Sequence, residues 1–353
     1  MKKREIVCEY QPYIMQPPVP PASLREKSTA NDDKTVEFWN DIWINNYRAN
    51  SKFSGGFANQ SLSQIFGIFR HRAVIIAGAG PSLKYNAEQL KNRGGVPLIS
   101  CLHNFHYFED RGIPVDYYVT LDAGPITIKE VSEGGEKSED EYWKLTENRT
   151  LIAFCGTDPQ LIEKWRGKIL WYNCPIPSKK YMDAINEIDR YHAFVSTGGN
   201  VLGAALYLVK AYMGASIVAF VGADFCFGYD RKFHGWNSSY DAHVGNCVPA
   251  IDVFGNRVPT WPSYANFKSW FDWVSLNVPG FYVNCTEGGT FGAYQDGNLF
   301  SIKIMDLADF LDCVNMCDKK MRQAVHPEWE GDLRNGLEPE RKPDLANYNY
   351  VLF

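Results

Sequence analysis

The sequence predicts an α/β fold built on a mostly parallel sheet with helices on both faces, and three observations support that prediction. Apolar runs rich in β-branched residues alternate with helical patterns from residue 73 to about residue 284. The strongest helical pattern, residues 201–214, ends at Gly214 and is followed at once by a buried apolar run. Two glycine-rich turns each precede a helix-like segment. A Rossmann-like arrangement, with an N-terminal extension and a C-terminal helix, accounts for all three.

The predicted elements follow from the period of the apolar residues. Short apolar runs bounded by turn-forming residues indicate strands, and runs with apolar residues three and four apart indicate helices. Strands are predicted at residues 74–77, 96–101, 116–122, 150–156, 168–174, 216–224 and 280–289. Helices are predicted at residues 83–93, 201–214 and 301–324.

Composition divides the chain into three parts. Residues 1–60 combine a proline-rich arm at 11–23 with an amphipathic helix that begins near residue 32. The aromatic content of that helix predicts docking on the main body or on a second subunit. Residues 61–324 form the Rossmann-like domain, with a lid loop at about 225–265, and residues 325–353 form a polar tail.

Charge and composition argue against several classes of protein. The 36 Lys and Arg residues and 41 Asp and Glu residues give a net charge of −5, so no overall positive charge favours nucleic acid or an acidic membrane. No apolar run reaches the roughly 20 residues that span a bilayer, and the N-terminus lacks the apolar core of a secretory signal. The nine cysteines form no CxxC pair. We therefore expect a cytoplasmic protein with reduced thiols and no membrane span.

The first glycine-rich turn, "GAGPS" at residues 78–82, has the composition of an anion site. Gly78 and Gly80 allow a ligand to approach the backbone closely, and Pro81 suits the first position of a helix. The N–H groups from Ser82 onward are then free for an anion. The third glycine of a dinucleotide-binding turn is missing, which disfavours NAD, and the lysine pattern of a Walker motif is absent as well. A tight turn without a ligand is the alternative.

The second glycine-rich turn precedes the strongest helix. Thr197, Gly198 and Gly199 place two glycines and a hydroxyl at the predicted helix N-terminus, which favours an anion there too. Two such turns in one sheet suit a nucleotide diphosphate, whereas the alternative is that one of them only caps its helix.

Three polar residues end predicted strands. Asn104, Asp122 and Asp224 would all lie at the carboxyl edge of a parallel sheet, where ligands bind. Such residues bind a ribose, a metal or a substrate hydroxyl, or they cap the next element. Asp122 and Asp224 together are candidate ligands of Mg²⁺, which takes oxygen ligands.

The predicted lid is rich in Tyr, His, Asp, Arg and Trp. His234 and His243 are candidates for a general base near neutral pH, and Arg231 is a candidate for binding phosphate. The alternative for each histidine is a solvated or structural role. His103 and His106, on either side of the Asn104 position, carry less weight.

Six motifs in order carry a resemblance to a known family. The stretches "VIIAGAGPSLK", "DYYVTLDA", "STGGNVLGAA", "VGADFCF", "DVFGNRVPT" and "NCTEGGTF" resemble the domain shared by archaeal 6-hydroxymethylpterin diphosphokinase (MptE-like) proteins and bacterial motility accessory factor (Maf) glycosyltransferases. The first half is also similar to bacterial lipooligosaccharide sialyltransferases, through "IIAGAGPSLK", "HNFHYFED" and "STGG". The resemblance covers roughly residues 73–310.

This resemblance implies a Rossmann-like transferase with a nucleotide donor, which is a nucleotide sugar in the glycosyltransferases and ATP in the pterin enzymes. The sialyltransferase pattern assigns nucleotide binding to residues 78–82, Asn104, and Thr197 with Gly198. That pattern has Asn where this chain has Asp122 and works without metal, whereas the acid agrees with the MptE-like branch and with Mg²⁺.

The first turn departs from the sialyltransferase pattern, and two histidines remain candidates for the base. The sialyltransferase turn has Asn where this chain has Ala79, so the contact to base or phosphate differs there. A loop histidine is the base in that pattern: His243 matches the sialyltransferase position, and His234 matches the MptE-like one.

We therefore expect a glycosyltransferase that moves a sugar from a nucleotide-sugar donor to an acceptor hydroxyl. His243, His234 or Asp224 would take the acceptor proton, and Arg231 or Mg²⁺ on Asp122 would stabilise the departing phosphate. The alternatives are a Mg-ATP-dependent diphosphokinase of the 6-hydroxymethylpterin type and a non-catalytic nucleotide-binding protein. The acceptor (protein, glycan, small molecule or modified nucleic acid) and a homo-oligomeric state stay open.

Overall fold

The main sheet confirms the predicted α/β architecture. The structure is a computed structural model that describes residues 22–53, 55–132, 134–191, 193–230, 247–294 and 297–324. The strands that it defines are β1 (Ala73–Ala77), β2 (Leu98–Cys101), β3 (Tyr117–Thr120), β4 (Thr150–Phe154), β5 (Lys168–Tyr172), β6 (Ile217–Val221), β7 (Val248–Ile251), β8 (Arg257–Thr260), β9 (Phe281–Asn284), β10 (Ala293–Tyr294), β11 (Gly297–Asn298) and β12 (Ile302–Ile304).

Within those residues, eight strands form one sheet in the order β12-β9-β6-β1-β2-β3-β4-β5, and their pairings are parallel. The chain starts in the middle at β1 and adds strands outward to β5. It then returns to β6 on the other side of β1 and continues to β9 and β12. The strand order therefore reverses between β1 and β6, which is where open parallel sheets bind ligands at their carboxyl edge.

Helices cover the sheet and follow most of its strands. They are α1 (Ala22–Phe53), α2 (Leu83–Asn86), α3 (Phe105–Arg111), α4 (Ile126–Ser132), α5 (Glu139–Leu145), α6 (Pro159–Lys164), α7 (Lys179–Ile188), α8 (Val201–Tyr207), α9 (Pro262–Asn277) and α10 (Leu307–Ala324). A π-helical turn, Leu208–Tyr212, extends α8, and Gly214 takes the predicted left-handed conformation with φ of +78°. No helix of the described chain is both long and apolar enough to cross a membrane.

Two predicted helices differ from the observed ones. The pattern at 83–93 gives the single α-helical turn of α2 followed by 3₁₀ turns at Ala87–Asn92, so α2 has only four residues. The predicted helix 301–324 is wrong at its start, because β12 pairs with β9 and α10 begins only at Leu307. A three-residue edge strand is too short to show a period of two, and its pairing depends on a distant strand.

The segment predicted as a lid loop contains regular structure over its described second half, and its role as a lid stays a prediction. β7 and β8 form an antiparallel hairpin whose turn is closed by Asp252, which accepts bonds from the N–H groups of Phe254 and Asn256 (2.9 and 2.8 Å). The helix α9, which the sequence did not predict, begins at Pro262. Its apolar residues surround the helix on several sides, so they show no amphipathic stripe.

The helix expected in residues 1–60 starts earlier than predicted and packs on the main body. Ile44 and Tyr47 are buried against it, and α1 contacts α6, α7 and α9. The division at residue 60 stays a prediction. Most of the proline-rich arm and the tail after residue 324 lie outside the described residues.

Candidate functional site

The turns after β1 and β6 interlock through their backbones. The Gly78 N–H donates to the Val221 carbonyl, and the Gly80 N–H donates to the Gly222 carbonyl, each at 2.9 Å. A Cβ added to Gly78 would lie 2.4 Å from the Gly222 oxygen. The group that comes too close to Gly78 for a side chain to fit is therefore the backbone of the turn after β6.

Asp224 occupies the position that the first turn offers to an anion. Its carboxylate accepts bonds from the Ser82 N–H (3.2 Å) and the Ser82 hydroxyl (2.8 Å), and a Cβ on Gly80 would lie 2.0 Å from its Oδ2. Burial raises the pKa of Asp224 to about 7. The roles predicted for residues 78–82 in binding a nucleotide stay predictions, because a donor phosphate at Ser82 would meet this carboxyl group.

Asn104 ties the end of β2 to the same turn. It is fully buried, and its amide donates to the Gly78 carbonyl (2.9 Å) and to the Ser100 hydroxyl (3.0 Å). Its Oδ1 is buried without a hydrogen-bond partner among the described residues. A buried amide oxygen in that state can accept a bond from a ligand.

Asp122 lies beyond β3 in an acidic corner. Solvent reaches its side chain, while the surrounding protein raises its pKa to about 6 by desolvation, and the charge of Glu130 adds to the rise. His103 partly offsets that effect, and its Nδ1 lies 3.2 Å from a carboxylate oxygen of Glu130. Sequence reasoning missed Glu130, which lies on α4 outside any motif.

The second glycine turn begins α8 as predicted. Asn200 caps the helix by accepting a bond from the Gly203 N–H (3.0 Å), and the Gly199 N–H donates to the Thr197 hydroxyl (3.2 Å). Gly198 and Gly199 have φ of +55° and +85°, a conformation that favours glycine.

Two aromatic residues of α9 lie against this turn, while Gly199 itself is exposed to solvent. A Cβ on Gly198 would lie 2.6 Å from the ring of Trp270, and one on Gly199 would lie 2.7 Å from the ring of Phe267. Tyr264, one turn earlier on α9, has its pKa raised by burial and by the charge of Asp122. The helix therefore borders the second turn, and its Tyr264 lies near enough to Asp122 to feel the charge of that carboxylate.

These contacts bring most of the predicted residues to one place. The helix α8 packs on β1, β2 and β3, and Leu202 lies close enough to Gly78 that a Cβ there would be 3.1 Å away. Asn104 and both turns are thus neighbours at the carboxyl edge, with Asp122 just beyond the adjoining strand β3. The predicted residues Arg231, His234 and His243 lie outside the described residues.

The two predicted metal ligands have different surroundings. Asp122 is open to solvent, and Mg²⁺ needs only one or two carboxylates when substrate phosphates complete its shell. Asp224 is buried, and both of its oxygens accept bonds from Ser82. Among the described residues no three His, Cys, Asp or Glu side chains cluster as a metal site. Asp122 therefore suits a magnesium ion whose other ligands come mainly from the phosphates of a nucleotide donor. Joint binding of Mg²⁺ by Asp122 and Asp224 stays a prediction.

Comparison with known proteins agrees with this fold. A solved structure with the same architecture is that of the Maf glycosyltransferase from Magnetospirillum magneticum AMB-1, with a TM-score of 0.53 and 16% identity. The likeness covers 76% of this chain and 38% of that one, so this chain matches well under half of that protein. No curated protein matches the sequence.

A family model identifies the family of the sequence. The model described as 6-hydroxymethylpterin diphosphokinase MptE-like matches residues 45–230, which run from within α1 to the loop after β6 and make up more than half of the chain. The chain belongs to this MptE-like family.

Proposed function

We propose that the chain is a glycosyltransferase that moves a sugar from a nucleotide-activated donor to an acceptor hydroxyl. The observation that carries the proposal is that Asn104, the Thr197–Gly199 turn at the start of α8 and Asp122 beyond β3 lie at one carboxyl edge beside the strand reversal. The name of the Maf glycosyltransferase, which shares the fold, supports the same class of reaction.

The donor phosphates are assigned to the start of α8. That helix continues through its π-helical turn to Tyr212, so about three turns of peptide dipoles point their positive end at the glycine turn. The buried Oδ1 of Asn104 is the natural acceptor for an N–H or hydroxyl of the nucleoside. The first turn is assigned to the wall of the pocket and not to the phosphates, because Asp224 already accepts the hydrogen bond of the Ser82 hydroxyl.

The reaction forms a bond between the acceptor oxygen and the anomeric carbon of the sugar, and it breaks the bond from that carbon to the donor phosphate. The electron pair of the broken bond leaves with the nucleotide, and the acceptor proton passes to a base. His234 and His243 remain the candidates for that base. Asp224 suits the role less well, since it is buried and turned toward Ser82.

Asp122 is the residue we assign to the phosphate side of the reaction. It would hold Mg²⁺ together with the donor phosphates, and that ion would supply neutralising charge as the nucleotide departs. Asp224 is left out of this assignment because both of its oxygens are engaged.

A diphosphokinase is the second candidate, and the family description favours it. It would bind Mg-ATP through the same Asp122 and turn, and it would transfer a diphosphoryl group to a heterocyclic alcohol with release of AMP. The half-buried rings on α9 beside Asp122 are suited to pack on a flat heterocycle.

One panel of measurements tests both candidates. Thermal unfolding of the full chain is followed with CMP, UDP, GDP, ATP and nucleotide sugars, with and without Mg²⁺, since a ligand at 100 times its Kd stabilises by about 2.7 kcal/mol. Release of free nucleotide from one sugar donor, lost in Asp122→Asn, supports a glycosyltransferase. AMP release from ATP supports the diphosphokinase. Tight binding without turnover indicates a non-catalytic binding protein, and no binding of any nucleotide contradicts the proposal.

A further inference from the structure

The helix α1 crosses the same edge of the sheet that carries the candidate site. Its Asn46 amide donates to the Ala123 carbonyl (2.9 Å) and the Gly156 carbonyl (3.0 Å), which follow β3 and β4. One turn later, Asn50 donates to the Cys155 and Thr157 carbonyls (2.9 and 2.8 Å). Two amides of one helix therefore bind the loops that leave the carboxyl ends of two strands.

Asn46 acts next to the proposed phosphate-side carboxylate. Ala123, whose carbonyl it binds, directly follows Asp122 in the chain. On the other side of Ala123, the ring of Trp39 packs on Gly124, where a Cβ would lie 3.1 Å from its edge. The second half of α1 thus holds the segment 122–124 through a hydrogen bond from Asn46 and a ring contact from Trp39.

The opposite side of that segment is held by its own helix. The Gly124 carbonyl accepts bonds from the Thr127 N–H (3.3 Å) and the Thr127 hydroxyl (3.0 Å), which start α4. The segment 122–124 therefore lies between two helices. Its contacts on one side come from α4, and those on the other side come from α1. The family match begins at residue 45, so Trp39 and the first half of α1 lie outside it.

We propose that α1 is part of the functional site and that Asn46 is a positioning residue, which fixes the orientation of Asp122 by bridging the loops after β3 and β4. A side-chain amide suits this task, because its two N–H groups can serve two carbonyls at once. The inference rests on the proposed function only in assigning Asp122 to the phosphate side of the reaction.

Asn50 provides a matched control. It has the same side chain and also bridges two carbonyls, but both of its partners lie in the loop after β4. It is fully buried, whereas Asn46 is half-buried, so a general loss of stability should be larger for Asn50. The variants Asn46→Asp and Asn50→Asp keep the size of the side chain and replace its donors by a carboxylate.

Hydrogen exchange of the full-length protein, followed by mass spectrometry, tests the positioning without any ligand. We expect Asn46→Asp and Asn46→Ala to speed exchange of the amides in residues 121–128 by about fivefold or more, the effect of one hydrogen bond. The Asn50 variants should speed exchange after β4 and leave 121–128 within about twofold of wild type. Equal exchange of 121–128 in both sets of variants overturns the proposal.

Donor turnover tests whether Asn46 acts through Asp122. Asn46→Ala should lower kcat by about tenfold or more, while Asn50→Ala stays within about threefold of wild type. In the double variant Asn46→Ala/Asp122→Asn no further loss should follow beyond Asp122→Asn alone. Losses that add in the double variant overturn the proposal. If the wild-type protein turns over no donor, the proposed function fails, and the exchange measurement by itself decides the positioning role.

Discussion

Asp224 and Ser82 join the ends of the two strands between which the sheet reverses its order. The Asp224 carboxylate at the end of β6 accepts both the backbone N–H and the hydroxyl of Ser82, which follows β1. These two residues are 142 positions apart in the chain. The shape of the first glycine turn therefore depends on a carboxyl group that the second half of the domain supplies.

At about pH 4, where the folded protein keeps Asp224 protonated, we expect Asp224→Ala to lower the free energy of unfolding by about 2 kcal/mol, because it leaves the donors of Ser82 without an acceptor in a buried position. Asp224→Asn should cost less than about 1 kcal/mol, since its amide can accept the Ser82 N–H and donate to the hydroxyl. Urea unfolding of both variants measures the difference.

Asp230→Asn is the control for that pair. Asp230 is exposed and pairs with Lys84 at 2.7 Å, a surface ion pair worth less than about 1 kcal/mol. A loss for Asp224→Ala no larger than the loss for Asp230→Asn would show that the Ser82 contact stabilises nothing.

The raised pKa of Asp224 predicts a pH-dependent loss of stability. The folded state keeps this proton up to about pH 7, while the unfolded chain releases it near the ordinary pKa of 3.8. The unfolded state binds fewer protons in that window, so stability falls as pH rises from about 4 to about 7. Asp224→Asn removes this dependence, and its stability relative to wild type should rise between about pH 4 and about pH 7. A difference that stays constant with pH contradicts the assignment.

Local patterns were sufficient to predict the architecture. The apolar runs of β1 to β6 are buried from end to end or nearly so, and that burial produces the continuous runs from which a parallel sheet was predicted. Gly214 ends its helix in a left-handed conformation, as a glycine after a long helical pattern predicts.

Long-range contacts account for what the sequence did not show. Gly78 was predicted to admit a ligand, but its close neighbour is Gly222 in the turn after β6. Glu130 and Asn46 lie near Asp122 only because α4 and α1 fold against the carboxyl edge. The helix α9 was missed because its aromatic residues pack on several partners and show no stripe. None of these contacts leaves a local period or motif.

Gly80→Ala should destabilise the protein severely. The new Cβ would lie 2.0 Å from Asp224 Oδ2 and 2.7 Å from the Gly222 oxygen, so one of the two turns must move. We expect a loss of about 3 kcal/mol or more, at the upper end for an overpacked position. Thermal or urea unfolding of the purified variant measures it.

Gly95→Ala is the matched control, because its nearest neighbour would be Arg72 Nη2 at 3.9 Å and its φ is not positive. That variant should unfold within about 1 kcal/mol of wild type, and it can even gain stability through the stiffer unfolded chain. Similar stability for Gly80→Ala and Gly95→Ala would mean that the two turns are not in contact.

Substitutions at Asn200 can separate the effect of the capping hydrogen bond from the effect of a charge at the start of α8. Its side chain accepts the Gly203 N–H at 3.0 Å, so Asn200→Ala should lower the free energy of unfolding by about 1 kcal/mol. Asn200→Ser and Asn200→Asp should each stay close to wild type, because both side chains cap helices well. Urea unfolding measures these differences.

The variants Asn200→Asp and Asn200→Ser should differ in their affinity for the nucleotide donor. Asn200→Asp adds a negative charge at the turn to which we assign the donor phosphates, whereas Asn200→Ser adds none. We expect the Asp variant to bind a nucleotide donor about threefold or more weakly than the Ser variant at low salt, with the gap narrowing as salt screens the charge. Isothermal titration at two salt concentrations measures both effects. Equal donor affinity of the two variants at low salt would place the phosphates away from α8.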